Sequence, residues 1–244
     1  MTEIASPQNP RLKALRKLAG SRERSRSGRF LAEGEDLVEA AARGGFEAVE
    51  GFRLAGSGLG GERFHDVRAE ALAAVSTLGS SSRVIGVYEQ RWSAPAGPLC
   101  VYLHGVSDPG NVGTIMRSAE AFGASSVALG PGCADPYSPK SVRASMGAVF
   151  AVPLARVDAV AELPGERIAL LADAGEVLVR GEEGRERPVS VLIGSEREGL
   201  PPEVVAACER SARIPIASES LNAAMAATVA LYELTREPSR VTAS

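Results

Sequence analysis

Two stretches, IGSEREGLPP at 193–202 and IPIASESLNAAMAATVALYE at 214–233, decide the fold. The first reads as the end of a buried strand running into a polar loop bracketed by Gly194 and Gly199. The second reads as a strand, a Ser-rich turn and a long apolar helix. A third stretch, DPGNVGTIMRSAEAFG at 108–123, has Val112, Ile115, Met116, Ala119 and Phe122 at helical spacing, so one face is buried. At ~100° per residue, Arg117 points away from that face. Asn111 stands at the helix start, where its side chain can cap amides or contact a ligand.

Around these stretches, apolar strands alternate with helices from 99 to the C-terminus. LCVYLHGV, SSVALG, RIALLAD, PVSVLIG and SARIPI read as strands. Near-continuous apolar strands between helices predict an α/β fold with a mainly parallel sheet covered on both faces. RWSAPAGP at 91–98 is rich in Pro and Ala and reads as a linker. Before it, residues 30–90 alternate strand-like and helix-like pieces and form a small α/β domain. Residues 1–29 form a basic helix followed by SRERSRSGR, read as a flexible connector. GSGLGG at 56–61 matches a dinucleotide-binding glycine pattern, but ERFHDV after it reads as a strand, not the helix that pattern needs. It is read as a hairpin or loop.

The chain of 244 residues has 45% hydrophobic and 23% charged residues, as a globular protein does. No apolar run reaches the ~18–20 residues that span a bilayer, and the polar N-terminus has no secretory signal. Cys100, Cys133 and Cys208 are scattered and His65 and His104 isolated, so free thiols and no metal site are expected. Eight Arg/Lys against Glu3 and Glu23 give residues 1–29 a balance of +6, leaving −9 for the rest of a chain of net charge −3. A basic arm on an acidic body suits a polyanion, although a solvated basic helix has the same composition.

Each candidate residue also has a plain structural reading. Glu196 could be a solvated turn residue and Ser220 a helix cap, while Leu221, Met225, Val229 and Tyr232 could be core or subunit interface. The combination is more specific than its parts. N-x5-R, then G-x-E-x-x-G-L, then I-P and S-L-N-A before a terminal helix resembles the SpoU (TrmH) branch of the SPOUT RNA methyltransferases. The resemblance covers 99–235, and ADPYSPKSVRASMGA at 134–148 is similar to the stretch between the first two blocks. Residues 1–90 resemble the substrate-binding extension of ribosomal-RNA members.

The resemblance implies a SPOUT domain over 99–244 with a deep trefoil knot, S-adenosylmethionine (SAM) as cofactor, and a cytoplasmic homodimer formed through the C-terminal domain. It implies methyl transfer to a ribose 2′-hydroxyl of RNA, ribosomal RNA in preference to transfer RNA. A non-catalytic RNA-binding or ribosome-assembly protein of the same fold is the alternative. Carried over by position, Arg117, Asn111, Glu196, Ser220 and Asn222 are the expected catalytic set. Gly194, Ser195, Glu196, Gly199, Ile214, Ile216, Leu221, Asn222 and Ala226 are the expected cofactor contacts. The chain departs from the family pattern at His104, where an acid is frequent, and at Arg197 and Ser218, where Gly is common.

Overall fold

The computed structural model describes residues 3–77, 82–179, 187–218 and 220–236. Glu219 of SESLN and residues 237–244 therefore lie outside the described residues. The chain forms two compact units. One takes Met1–Ser93, Ser107–Arg117 and Ala134–Pro153; the other takes Ala94–Val106, Ser118–Cys133 and Leu154–Ser244.

The first unit holds a four-stranded sheet in the order β1-β4-β2-β3, made of β1 (Arg29–Glu33), β2 (Glu50–Leu54), β3 (Phe64–Val67) and β4 (Val84–Glu89). β4 pairs antiparallel with β1 and β2, whereas β2 and β3 are parallel. GSGLGG is thus a loop between parallel strands, not a hairpin, with Gly56, Gly58 and Gly60 at positive φ. Helix α1 (Pro10–Lys17) is capped by Asn9, whose side chain accepts the Arg11 N–H at 2.9 Å. It buries Leu12 and Leu15 in a core with Phe52, Val67, Leu72 and Ile85.

Residues 21–27 are not a flexible connector. They form α2 (Ser21–Ser27), ended by Gly28 in the left-handed conformation at φ 66°. Arg24, 3% exposed, anchors it by donating to Asp135 Oδ2 at 2.8 Å and to the carbonyls of Leu18 and Ala19 at 3.0 and 2.7 Å. Burying a guanidinium is tolerable because these acceptors replace water. Nothing local marks this Arg among its neighbours, since its acidic partner lies 111 residues away. Helices α3 (Glu35–Arg43) and α4 (Ala69–Ala73) complete the N-terminal part.

Phe30 packs at a tilt against Tyr137 and Phe150 with ring centroids 4.6 and 5.6 Å apart. The linker begins on this cluster. The Arg91 guanidinium lies 3.7 Å over the Phe46 ring, and Tyr137 Oη accepts the Arg91 N–H and donates to its carbonyl.

In the second unit, β5 (Leu99–Leu103), β6 (Ser126–Leu129), β7 (Leu154–Arg156), β8 (Glu166–Leu170), β9 (Val189–Ile193) and β10 (Arg210–Ala212) form one sheet ordered β10-β8-β9-β5-β6-β7. Every pairing is parallel, as the apolar strands predict. β5 and β9 at its centre are almost wholly buried. Of SARIPI (211–216) only the first two residues are strand, continued by a single bridge between Arg213 and Val177. Helices α5 (Pro109–Ala121), α6 (Pro139–Ala144), α7 (Pro202–Ala206) and α8 (Ala223–Thr235) join the strands or close the chain.

The first half of α5 packs against α6 at Gly113, where a Cβ would stand 2.4 Å from the Ser141 carbonyl oxygen and 2.6 Å from Ala144 Cβ. Gly113→Ala gains ~1 kcal/mol of helix propensity. The overpacking costs ~1–3 kcal/mol. The variant is expected to be less stable in urea unfolding; a more stable variant would mean that the two helices part without cost.

Candidate functional site

The site is built at the carboxyl ends of parallel strands, where an open α/β sheet leaves a crevice. β9 ends at Gly194. A Cβ there would lie 2.1 Å from the Gly199 carbonyl carbon and 2.5 Å from the Leu200 nitrogen. The missing side chain thus makes room for the loop's own backbone. Ser195 and Gly199 exchange two backbone hydrogen bonds at 3.2 and 3.0 Å, and Ser195 Oγ accepts the Glu198 N–H at 3.1 Å. Gly199, at φ 67°, supplies the left-handed turn. Leu200 then enters the core with Val204. The result is a closed loop with Glu196, Arg197 and Glu198 exposed.

Two further walls come from β8 and β10. After β8 the chain runs through Leu171, Ala172 and Asp173, then pairs with Arg213 through the Glu176 carbonyl and the Leu178 N–H, both at 2.8 Å. Past Arg213 come Ile214 and Ile216, and then Ser220 and Leu221 ahead of α8. These walls enclose a cavity of about 720 Å³. Ligand sites of drug size run ~300–1,000 Å³. Of the residues predicted from the sequence, Gly194, Ser195, Glu196, Gly199, Ile214, Ile216, Ser220, Leu221 and Ala226 line it. Asn222 lies between the lining residues Leu221 and Ala223.

Neither Asn111 nor Ser220 takes the helix-cap position that each could have held. Asn222, not Ser220, caps α8: its Oδ1 accepts the N–H groups of Ala224 and Met225 at 2.9 and 3.3 Å. Ser220 is exposed and faces the cavity. At α5, Asp108 Oδ1 accepts the Asn111 N–H at 3.0 Å, so Asp108 is the cap and Asn111 the third helical residue. A hydrogen bond from Lys140, at 2.7 Å, and the Asn111 amide hold the Asp108 carboxyl below its ordinary value. Arg117 is exposed, while Val112, Ile115, Met116 and Ala119 are fully buried, as their spacing predicts; Phe122, past the end of α5, is half-buried. Asn111 and Arg117 belong to the first compact unit and the cavity lining to the second.

Several lining residues were not anticipated: Leu170 at the end of β8, Leu171 to Asp173 after it, and Pro202, Val205 and Ala206 on α7. Their signal was a strand end, but only the sheet order places β8 beside β9. His104, one residue past β5, bonds Tyr102 Oη through Nδ1 at 3.0 Å. Burial pushes the Tyr102 hydroxyl up to about 12, so it stays protonated. Among the described residues, no group of three or more His, Cys, Asp and Glu is placed to hold a metal, and no helix is long and apolar enough to cross a membrane.

A parallel sheet with such a cavity at its strand ends defines an α/β domain suited to a small organic ligand. Residues 98–232 match the SpoU rRNA Methylase family, and residues 9–86 match the MRM3-like substrate binding domain. The chain belongs to the SpoU rRNA methylase family. It is 30% identical to the 23S rRNA (guanosine(2553)-2′-O)-methyltransferase RlmP of Bacillus subtilis, over 96% of this chain and 99% of that one. The AdoMet-bound rRNA methyltransferase of Sinorhizobium meliloti superposes with a TM-score of 0.84 at 33% identity, covering 96% of this chain and 97% of that one. The SpoU methyltransferase AviRb of Streptomyces viridochromogenes, in complex with AdoMet, superposes with a TM-score of 0.81 at 26% identity, covering 93% and 97%.

Proposed function

We propose that this chain is a SAM-dependent methyltransferase that modifies a ribose 2′-hydroxyl of RNA, with ribosomal RNA as its substrate. One observation carries the reading: the second and third signature blocks converge on a single cavity at the carboxyl ends of β8, β9 and β10. The lining fits the cofactor. Leu171, Ile193, Ile214, Ile216 and Leu221 suit a flat base, and charged residues suit a zwitterionic end. When bound, the cofactor supplies an electrophilic methyl group. The nearly full-length likeness to a 2′-O-methyltransferase of 23S rRNA and the N-terminal match to a substrate-binding domain favour ribosomal RNA.

A ribose hydroxyl is a weak nucleophile, so it must be positioned and its proton removed. Arg117 is assigned to the target hydroxyl. A guanidinium keeps its proton, so Arg117 acts by orienting the 2′-oxygen and stabilising its developing negative charge, while the hydroxyl proton passes to water as the O–CH3 bond forms and the S–CH3 bond breaks. Asn111 and Glu196 are assigned to shaping the surroundings of Arg117 and the cofactor loop, Ser220 to the target phosphate, and Asn222 to fixing the start of α8. The reading includes the trefoil knot, which depends on chain threading and not on sheet order, and a cytoplasmic setting. The test is incubation of the protein with tritiated SAM and unmodified ribosomal RNA. Label in alkali-resistant dinucleotides is expected, because a 2′-O-methyl group blocks cleavage of the adjacent phosphodiester; label confined to bases would refute the assignment.

The working form is proposed to be a homodimer through α8. Met225, Val229 and Tyr232 are 62%, 40% and 55% exposed and recur at i, i+4 and i+7 on that helix. A continuous exposed apolar stripe marks an association surface. Light scattering is expected to give a dimer for the native protein and a monomer for Met225→Glu/Tyr232→Glu, with unchanged circular dichroism. A monomeric native protein would contradict the proposal.

A further inference from the structure

The cavity's charged residues are unevenly partnered. Asp173, Glu196 and Glu198 line it with one cationic residue among the described lining, Arg197. The Arg197 guanidinium makes no hydrogen bond or ion pair among the described residues, and neither does the Asp173 carboxylate. Arg26 pairs with Glu23 and Arg236 with Glu233, each with an acid three residues earlier in the chain. Arg197 has acids on both sides in sequence and pairs with neither. The loop beneath it is closed by the Ser195–Gly199 backbone bonds, so its stem leaves from a fixed base. Asp173 reaches the same cavity from a separate wall, the segment after β8.

We propose that Arg197 and Asp173 read the amino-acid end of the methyl donor, with Arg197 taking its α-carboxylate and Asp173 its α-ammonium group. The inference rests on the cofactor reading above. A carboxylate cannot be buried against Leu171, Ile214 or Leu221 without a large desolvation cost. Against Glu196 and Glu198 it would be repelled. The guanidinium is planar, always charged and able to hold both carboxylate oxygens at once. The opposite charges of Arg197 and Asp173 match the opposite charges on the ligand's α-carbon. Arg197 is thus a cofactor-anchoring residue, and the acids around it serve the ligand's positive groups.

The test compares binding of SAM and decarboxylated SAM by calorimetry to the native protein and to Arg197→Ala, Arg197→Lys and Asp173→Asn. Decarboxylated SAM carries one more net positive charge, so a lining of three acids and one arginine would by itself favour it. The native protein is nonetheless expected to prefer SAM by about tenfold, the worth of one charge-assisted bidentate contact. In Arg197→Ala that preference is expected to vanish or reverse, while Arg197→Lys keeps part of it. Asp173→Asn is expected to weaken both ligands alike, because both retain the ammonium group. If Arg197→Ala leaves the ratio of the two affinities as it is in the native protein, the assignment is wrong even though the cavity holds the cofactor. If the native protein binds neither ligand, the cofactor reading itself falls and this inference with it.

Discussion

Arg117→Ala is expected to lower methyl transfer by about 10²–10³-fold, the usual loss when one preorganised charge-stabilising donor is removed. SAM affinity is expected to stay at its native value. Arg117 is exposed on α5, on the side opposite Val112, Ile115 and Met116, so its removal leaves no buried gap. The cofactor cavity is lined without it. Arg117→Lys keeps a positive charge but loses the planar donor set, and is expected to recover only part of the rate. Single-turnover transfer with tritiated SAM, paired with calorimetry, separates the two effects. Native turnover in Arg117→Ala would remove Arg117 from the mechanism. Loss of turnover in proportion to loss of SAM binding would make it a cofactor ligand instead.

Neutralising Lys13, Lys17, Arg22 and Arg29 together to Gln is expected to weaken binding to ribosomal RNA and flatten its salt dependence. The side chains of all four are exposed and make no hydrogen bond or ion pair among the described residues. The other basic residues of this region are already engaged. Arg11 pairs with Glu50, Arg16 donates to the Ala74 carbonyl, Arg24 holds Asp135 and Arg26 pairs with Glu23. Each charge that meets a phosphate contributes a slope of about 0.7–0.9 in log affinity against log salt, so the four together account for about 3. Deleting the whole arm is the wrong experiment. Leu12 and Leu15 are 0% and 2% exposed and Arg24 is 3% exposed, so deletion would open the core of the first unit. Filter binding across a salt series measures the slope. An unchanged slope would move the RNA-reading surface elsewhere.

What was legible in the sequence was what depends on local spacing. The buried stripe of α5 and the outward Arg117 follow from helical period alone. The all-parallel sheet follows from apolar strands between helices. Both polar turns of the final quarter fall on one cavity. What was hidden depends on contacts between distant residues. The β8 wall, Leu170 to Asp173, became visible only when the sheet order set β8 beside β9. Arg24 is one basic residue among many until Asp135 is brought to it. The caps stayed open in the sequence because Asp108 and Asn111, and likewise Ser220 and Asn222, lie within a turn of each other and offer similar oxygens. Only backbone geometry chooses between them. The close approach at Gly194 was hidden too, since it is the Gly199–Leu200 backbone, brought back by the loop, that its bare Cα admits.

The final quarter thus supplies most of the proposed cofactor cavity, and α5 supplies the residue assigned to the target. The most direct test of that account is a map of 2′-O-methyl groups across ribosomal RNA from cells lacking this protein, complemented with either the native chain or Arg117→Ala. The account predicts that a ribose methyl group in ribosomal RNA is lost, is restored by the native chain and is not restored by Arg117→Ala. A map that does not change on loss of the protein, or a lost methyl group that sits on a base, would contradict it.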